Sequence, residues 1–159
     1  MMRLDGVINV SKSRYFGRNF GKASDYKYHA YIGVGGNLGN VKKRFDNLIR
    51  AFKNDKRLWV EKTSPIIKNK AFGYTNQPDF LNAVISLQTS MSSNMLLKIM
   101  QHYEVKFKRQ RSFKNAPRTL DLDILYYSKK VRKSARLMVP HVGASDRLSV
   151  IVPLGMMIK

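Results

Sequence analysis

The sequence predicts an α+β domain of the ferredoxin-like, split βαβ kind: an antiparallel sheet with helices on one face. Three observations predict it. Residues 28–34 (YHAYIGV) and 79–89 (DFLNAVISLQT) are aromatic and β-branched, and the second run alternates apolar and polar positions. Residues 120–126 alternate in the same way, with Asp121 and Asp123 at the polar positions. Between these runs lie two stretches whose apolar residues recur at helical spacing. The resulting order is strand, helix, strand, strand, helix, strand.

Each element has its own justification. Residues 1–27 are basic and aromatic without a clear period, and read as an extension, a hairpin packed on the domain or a trailing segment. The first strand ends at Gly35-Gly36-Asn37, where Asn37 can cap a helix. Leu38, Val41, Phe45, Leu48, Ile49 and Phe52 form that helix's apolar stripe. Residues 58–67 read as a second strand broken by Pro65. In the third strand Leu81, Ala83, Ile85 and Leu87 share the core face, so Phe80 and Asn82 point the other way. Ser92 or Ser93 caps the second helix, with Met95, Leu96, Ile99, Met100, Tyr103 and Phe107 as its stripe. A turn near residues 128–130 and a short extended piece near 136–140 follow. Residues 145–157 close the chain as a helix that Pro153 makes irregular. The domain reading is a basic extension over 1–27 and one domain over 28–159.

The chain has 159 residues and 43% hydrophobic content, enough for one domain with a core. Thirty Lys and Arg stand against 10 Asp and Glu, a formal charge of +20, which favours polyanionic partners without saying which. No cysteine is present, which excludes disulfides, thiolate metal sites and cysteine nucleophiles. The absence of a long apolar run and of a secretory leader makes the cytoplasm the expected location.

The most informative stretch is Pro117-Arg118-Thr119-Leu120-Asp121-Leu122-Asp123-Ile124. On a strand, Leu120, Leu122, Ile124 and Tyr126 take one face and Asp121 and Asp123 the other. That sets the two aspartates roughly 6–7 Å apart along the backbone. Two adjacent carboxylates need a cation, and Mg²⁺ is held in this manner, by one or two carboxylates plus substrate phosphates. Neutralisation of an acidic edge face by nearby Lys and Arg is the competing reading.

The basic segment Lys106, Lys108, Arg109, Arg111, Lys114 and Arg118 comes just before this pair. A triphosphate needs both cationic side chains and Mg²⁺, and guanidinium groups suit bidentate phosphate contacts. A solvated charged loop is the bland alternative. The Gly33-Val34-Gly35-Gly36-Asn37-Leu38-Gly39 run lacks the last glycine of a dinucleotide fingerprint and reads as a tight strand-to-helix turn. No P-loop motif is present. His29 and His102 have no evident partners and read as structural. Glu104 reads either as a solvated helix residue or as a support for the basic loop.

Four motifs in order carry a resemblance: x-G-G-N-L at 34–38, N-Q-P-D-F-L-N at 76–82, P-R-T-L-D-L-D at 117–123 and V-P-H-x5-R at 139–147. From about Tyr28 onward the chain resembles the 6-hydroxymethyl-7,8-dihydropterin pyrophosphokinase family of folate biosynthesis. The resemblance implies a ferredoxin-like fold and transfer of diphosphate from ATP to the pterin hydroxymethyl group, with AMP leaving. It implies two Mg²⁺ ions on Asp121 and Asp123, and catalytic roles for Arg109, Arg111 and Arg118. Leu97, Arg109, Arg118, Ile124, His141 and Arg147 would contact ATP. Phe80 would stack on the pterin and Asn82 would bond its edge. The implied partners are these small molecules, with no membrane or nucleic acid, and a monomer is expected.

Several positions depart from the family pattern. Gly36 replaces a serine, Asn115-Ala116 a Trp-Gly pair, Ser149 a second pterin-stacking aromatic, and Asn69-Lys70 a Thr-Pro pair. Phe72 or Phe113 is the candidate to supply the missing aromatic surface. Two other readings therefore stand beside the enzyme: a basic nucleic-acid-binding module, and a degenerate member that binds ATP without turnover.

Overall fold

The computed structural model describes residues 7–70, 76–108, 117–128, 132–133, 138–139 and 148–158. Along the chain these form β1 (Val7–Ser11), β2 (Tyr28–Gly36), α1 (Val41–Lys53), β3 (Leu58–Thr63), β4 (Ile66–Asn69) and β5 (Phe80–Thr89). Then come α2 (Ser93–Lys106), β6 (Asp121–Tyr127), β7 (Arg132–Lys133), β8 (Met138–Val139) and α3 (Leu148–Ile158).

The predicted class holds. β2 is central, flanked antiparallel by β5 and β6; β3 and β4 both pair with the far side of β5. β3 and β4 are the second strand, broken at Pro65 as expected. Proline has no N–H to give the ladder. Ser64 repairs the gap: its N–H donates to Val84 O (2.9 Å) and its Oγ accepts from Val84 N (2.8 Å).

Helices α1 and α2 cover one face. Phe45, Leu48, Ile49 and Phe52 of α1 and Leu96, Ile99 and Met100 of α2 bury against Ala30, Ile32, Ala83, Ile85, Leu87 and Leu122. Helix α3 adds a layer on the opposite face, where Met157 and Leu154 pack with Val84 and Leu125. Two stripe positions fall outside the core: Leu38 precedes α1 and is 38% exposed, and Met95 on α2 is 46% exposed. The α1 cap is also one turn later than expected. Asn40 accepts from Lys43 N (3.2 Å), which frees Asn37 for another task. On α2, Ser92 is the cap.

Tyr126 does not share the face of Leu122 and Ile124. The β2–β6 register slips between Tyr31 and Ile32, pairing Tyr31 with Tyr126 but Ile32 with Ile124. The extra residue flips the strand's last positions. Tyr127 therefore enters the main core, and Tyr126 packs on the other face, edge-on to Tyr31.

Residues 7–27 form no hairpin of their own. β1 pairs with β4, and the chain then runs along β3 through bonds from Gly17 N to Ser64 O, Thr63 N to Arg18 O and Phe20 N to Glu61 O. Phe16 is fully buried in the main core, 5.4 Å from the ring of Phe45.

Candidate active site

A row of residues crosses the centre of the sheet. Gly35 of β2 pairs with Asn82 of β5 on one side and with Asp121 of β6 on the other. One step along, Gly33 pairs with Val84 and with Asp123. Laterally paired residues share a face, so Asn82, Asp121 and Asp123 stand together, with only glycine between the amide and the carboxylates. Strand spacing puts Asn82 and Asp121 roughly 10 Å apart at the backbone. Gly35 thus leaves the strand bare between Asn82 and Asp121, a different purpose from the tight turn that the sequence suggested, whereas Gly33 is covered by the side chain of Leu125. A Cβ at Gly35 would lie 2.5 Å from Asn82 Oδ1.

Asn37 ties three loops to this bare strand. It is buried, its Nδ2 donates to Gln77 Oε1 (2.8 Å) and Pro78 O (2.9 Å), and its Oδ1 accepts from Arg118 N (2.9 Å). Its own N–H donates to Arg118 O (3.0 Å). Arg44 braces the same junction by donating to Leu38 O (2.7 Å) and Thr119 O (2.9 Å). Burial lowers the pKa of that guanidinium from its ordinary value. Gly36 lets these backbones meet, since a Cβ there would stand 2.6 Å from Thr119 O. So the first, second and third motifs converge through one asparagine side chain.

Arg118 joins the halves of the site. Its guanidinium lies over the Phe80 ring, 5.3 Å from the centroid, and its Nη1 is 3.3 Å from Asp121 Oδ2. Phe80, Asn82, Arg118, Asp121 and Asp123 are all half-buried, and contacts or register bring them together. Ile124 lies instead on the opposite face, 3% exposed in the main core, and Leu97 packs partly buried against that core. Phe72, Arg109, Arg111, Phe113, His141 and Arg147 lie outside the described residues.

Three residues of this region were missed or misread in the sequence. Asn37 looked like a cap. Glu104 is not solvated: it is 4% exposed and accepts from Leu122 N (2.9 Å), while the basic loop it was also read as supporting lies largely outside the described residues. Asn69 looked like a departure only, yet its Oδ1 accepts from Asn82 Nδ2 (2.7 Å). Position within a motif was the available signal for Asn37; nothing local marks the other two. Away from the site, His29 does have partners, with Nε2 2.6 Å from Ser86 Oγ and 3.1 Å from Glu61 Oε2.

A family model for 7,8-dihydro-6-hydroxymethylpterin-pyrophosphokinase (HPPK) matches residues 31–159. The chain is 51% identical over 156 residues to the 2-amino-4-hydroxy-6-hydroxymethyldihydropteridine pyrophosphokinase of Campylobacter jejuni, covering 98% of this chain and 99% of that one. It is 40% identical over 149 residues to the Helicobacter pylori protein of the same name, covering 92% and 91%. The Campylobacter match spans the N-terminal segment that buries Phe16. A match over most of the chain, at this identity, makes the protein a member of the 7,8-dihydro-6-hydroxymethylpterin-pyrophosphokinase family.

Proposed function

We propose that this chain transfers diphosphate from ATP to the hydroxymethyl group of 6-hydroxymethyl-7,8-dihydropterin through the face built on Asn82, Gly35 and Asp121. The observation that carries the reading is this row itself. It sets a ring-stacking residue and an amide on one side of Gly35, and paired carboxylates with an arginine on the other. A flat heteroaromatic and a polyphosphate are the two chemistries such a face accommodates.

Phe80 offers a ring face to the pterin, and Asn82 offers an amide to its polar edge. Offset stacking of this kind contributes about 0.5–1.5 kcal/mol beyond burial. Arg118 holds Asp121 and the Phe80 ring at once, so it stands where pterin and phosphate would meet. A guanidinium there can bond phosphate oxygens in bidentate fashion. Arg109 and Arg111 would add cationic donors to the triphosphate, and His141 and Arg147 further contacts to ATP. Leu97 and Ile124, which the resemblance assigns to the adenine, lie against and within the core on the other face of the sheet, so this face gives them no support.

The donor set fits a hard divalent cation. Asp121 and Asp123 supply two carboxylates on one face. Among the described residues no group of three or more His, Cys, Asp or Glu could enclose a metal. Mg²⁺ is bound by such a pair when phosphates and water complete its shell. Two bound Mg²⁺ ions would neutralise charge on the triphosphate as its terminal diphosphate is transferred. The residues present do the positioning: they hold the hydroxymethyl oxygen in line with the β-phosphorus. The new O–P bond would form there as the hydroxyl proton passes to water, the bond from the β-phosphorus to the α–β bridging oxygen would break, and AMP would depart with that oxygen.

No helix among the described residues is long and apolar enough to cross a membrane. We infer action as a monomer in the cytoplasm.

The test is AMP formation from ATP and 6-hydroxymethyl-7,8-dihydropterin, with and without Mg²⁺. AMP that requires both pterin and Mg²⁺ is the expected result. ATP binding without AMP would overturn the catalytic reading in favour of a binding-only family member. Oligonucleotide binding with base preference, and no AMP, would favour the nucleic-acid module.

A further inference from the structure

Asn82 carries an acceptor and a donor on one amide, so its usefulness to a ligand depends on which way the amide faces. The structure supplies a reason for one orientation. The backbone carbonyl of Lys70 can only accept, and Asn69 Nδ2 donates to it (3.0 Å). That turns Asn69 Oδ1 toward β5. An oxygen there can be met only by a donor, and Asn82 Nδ2 fills that place at 2.7 Å. Asn82 Oδ1 is thereby turned toward β2, over Gly35. Asn69 ends β4, whose pairing with β5 sets Asn69 opposite Phe80 and Ile67 opposite Asn82. Asn69 thus reaches Asn82 diagonally across the ladder. Its own backbone is held from the other side by β1, through the Val7 pairing.

We propose that Asn69 is a positioning residue, which relays the polarity of the Lys70 carbonyl to Asn82 and so fixes the donor–acceptor pattern this site reads on a heteroaromatic edge. The proposal rests on the pterin reading of Asn82 given above. Without the relay the Asn82 amide can turn by 180°, and both orientations become available to a ligand. A side chain that merely supports the fold would weaken all ligands together. A polarity relay instead sets the ratio between ligands whose edges carry opposite patterns.

The experiment measures binding of two pteridines to the full chain in the presence of Mg²⁺ and a non-hydrolysable ATP analogue. One carries the 2-amino-4-oxo edge. The other carries a 2,4-diamino edge, in which the acceptor at position 4 becomes a donor. Asn69→Leu, which keeps size and removes the acceptor, is expected to narrow the ratio of the two affinities by about five- to tenfold, the worth of one hydrogen bond. Affinity for the ATP analogue should stay within about twofold. Asn69→Asp loses the donor to Lys70 O but presents oxygens alone, one of which accepts from Asn82 Nδ2, and should restore most of the ratio. It also serves if the leucine variant does not fold, because a loss of the ratio in Asn69→Asp would overturn the relay. Equal weakening of both pteridines by Asn69→Leu, with an unchanged ratio, would overturn it as well. Asn82→Ala run in parallel separates the two levels. If it leaves pteridine binding intact, the site reading has failed and the relay with it. If it destroys binding while Asn69→Leu leaves the ratio intact, the relay alone has failed.

Discussion

The carboxylate of Glu104 accepts a 2.9 Å hydrogen bond from the backbone N–H of Leu122, the residue between Asp121 and Asp123. Among the described residues β6 is the last strand on its side of the six-stranded sheet, so this N–H has no neighbouring strand to meet. A buried side chain on α2 takes the strand's role and locks the backbone that spaces the two aspartates.

Glu104→Ala should therefore cost stability and turnover together. Removing the acceptor leaves a buried N–H unpaired, worth about 1–3 kcal/mol. Glu104→Gln keeps an acceptor and should cost less. Urea unfolding beside steady-state AMP release checks both. A stable Glu104→Ala protein with undiminished turnover would deny the brace.

Asp121→Asn and Asp123→Asn should each lower turnover by at least about a hundredfold while leaving the melting temperature near that of the parent. Both side chains stand off the core face, so neither supports packing. Circular dichroism with AMP release measures the pair of outcomes, and full activity in both variants would remove the site assignment.

Gly35→Ala should raise the KM for the pterin more than that for ATP. The new methyl would stand 2.5 Å from Asn82 Oδ1, which must then move. The cost is asymmetric because Asn82 is held from behind by Asn69 at 2.7 Å. Separate KM values for the two substrates decide it.

Phe16→Ala should destabilise the protein by about 3–5 kcal/mol, the usual cost of emptying a phenylalanine site in a core. Phe16 is fully buried against Phe45 although it precedes the span matched by the family model, which begins at residue 31. Thermal unfolding measures it. A loss under about 1 kcal/mol would mean that residues 7–27 are dispensable for the core.

Asp55 gives the fold an acid limit. Its carboxylate accepts from Arg57 and from the Tyr103 hydroxyl (2.7 Å), and the Arg57 hydrogen bond chiefly lowers its pKa to about 2. Burial, then the bond to Asp55, pushes the Tyr103 hydroxyl upward. A depressed carboxylate pKa stabilises the fold above the unfolded value near 4, and that stability is lost as the pH falls toward 2. Asp55→Asn should cost on the order of 1–2 kcal/mol at pH 7, and the two unfolding curves should draw together from about pH 4 and meet only near pH 2. A constant difference down to pH 2 would contradict this.

The features legible in the linear chain are periodic and local. Alternation in 79–89 and 120–124 separates core from site faces, and by itself it puts Phe80, Asn82, Asp121 and Asp123 on the outward side. Helical spacing finds most of the α1 and α2 stripes. Pro65 announces the strand break. These readings succeed because each rests on a side chain's direction relative to its own backbone.

Folding in three dimensions decided what depends on partners distant in the chain. Asn37 has the chemistry of a helix cap, and only the approach of Pro78 and Arg118 turned it into a junction. Glu104 could be read as solvated or as a loop support, and only the packing of α2 on β6 brought it the N–H of Leu122. The slip between Tyr31 and Ile32 sent Tyr126 and Tyr127 to faces that strict alternation denied them. Gly35 resembled part of a turn, but neighbouring strands set it between Asn82 and Asp121. In each case a buried polar group or a register had to be satisfied by a residue tens of positions away. Hydrogen-bond satisfaction in a folded interior is a property of the assembled packing, and no local pattern in the chain encodes it.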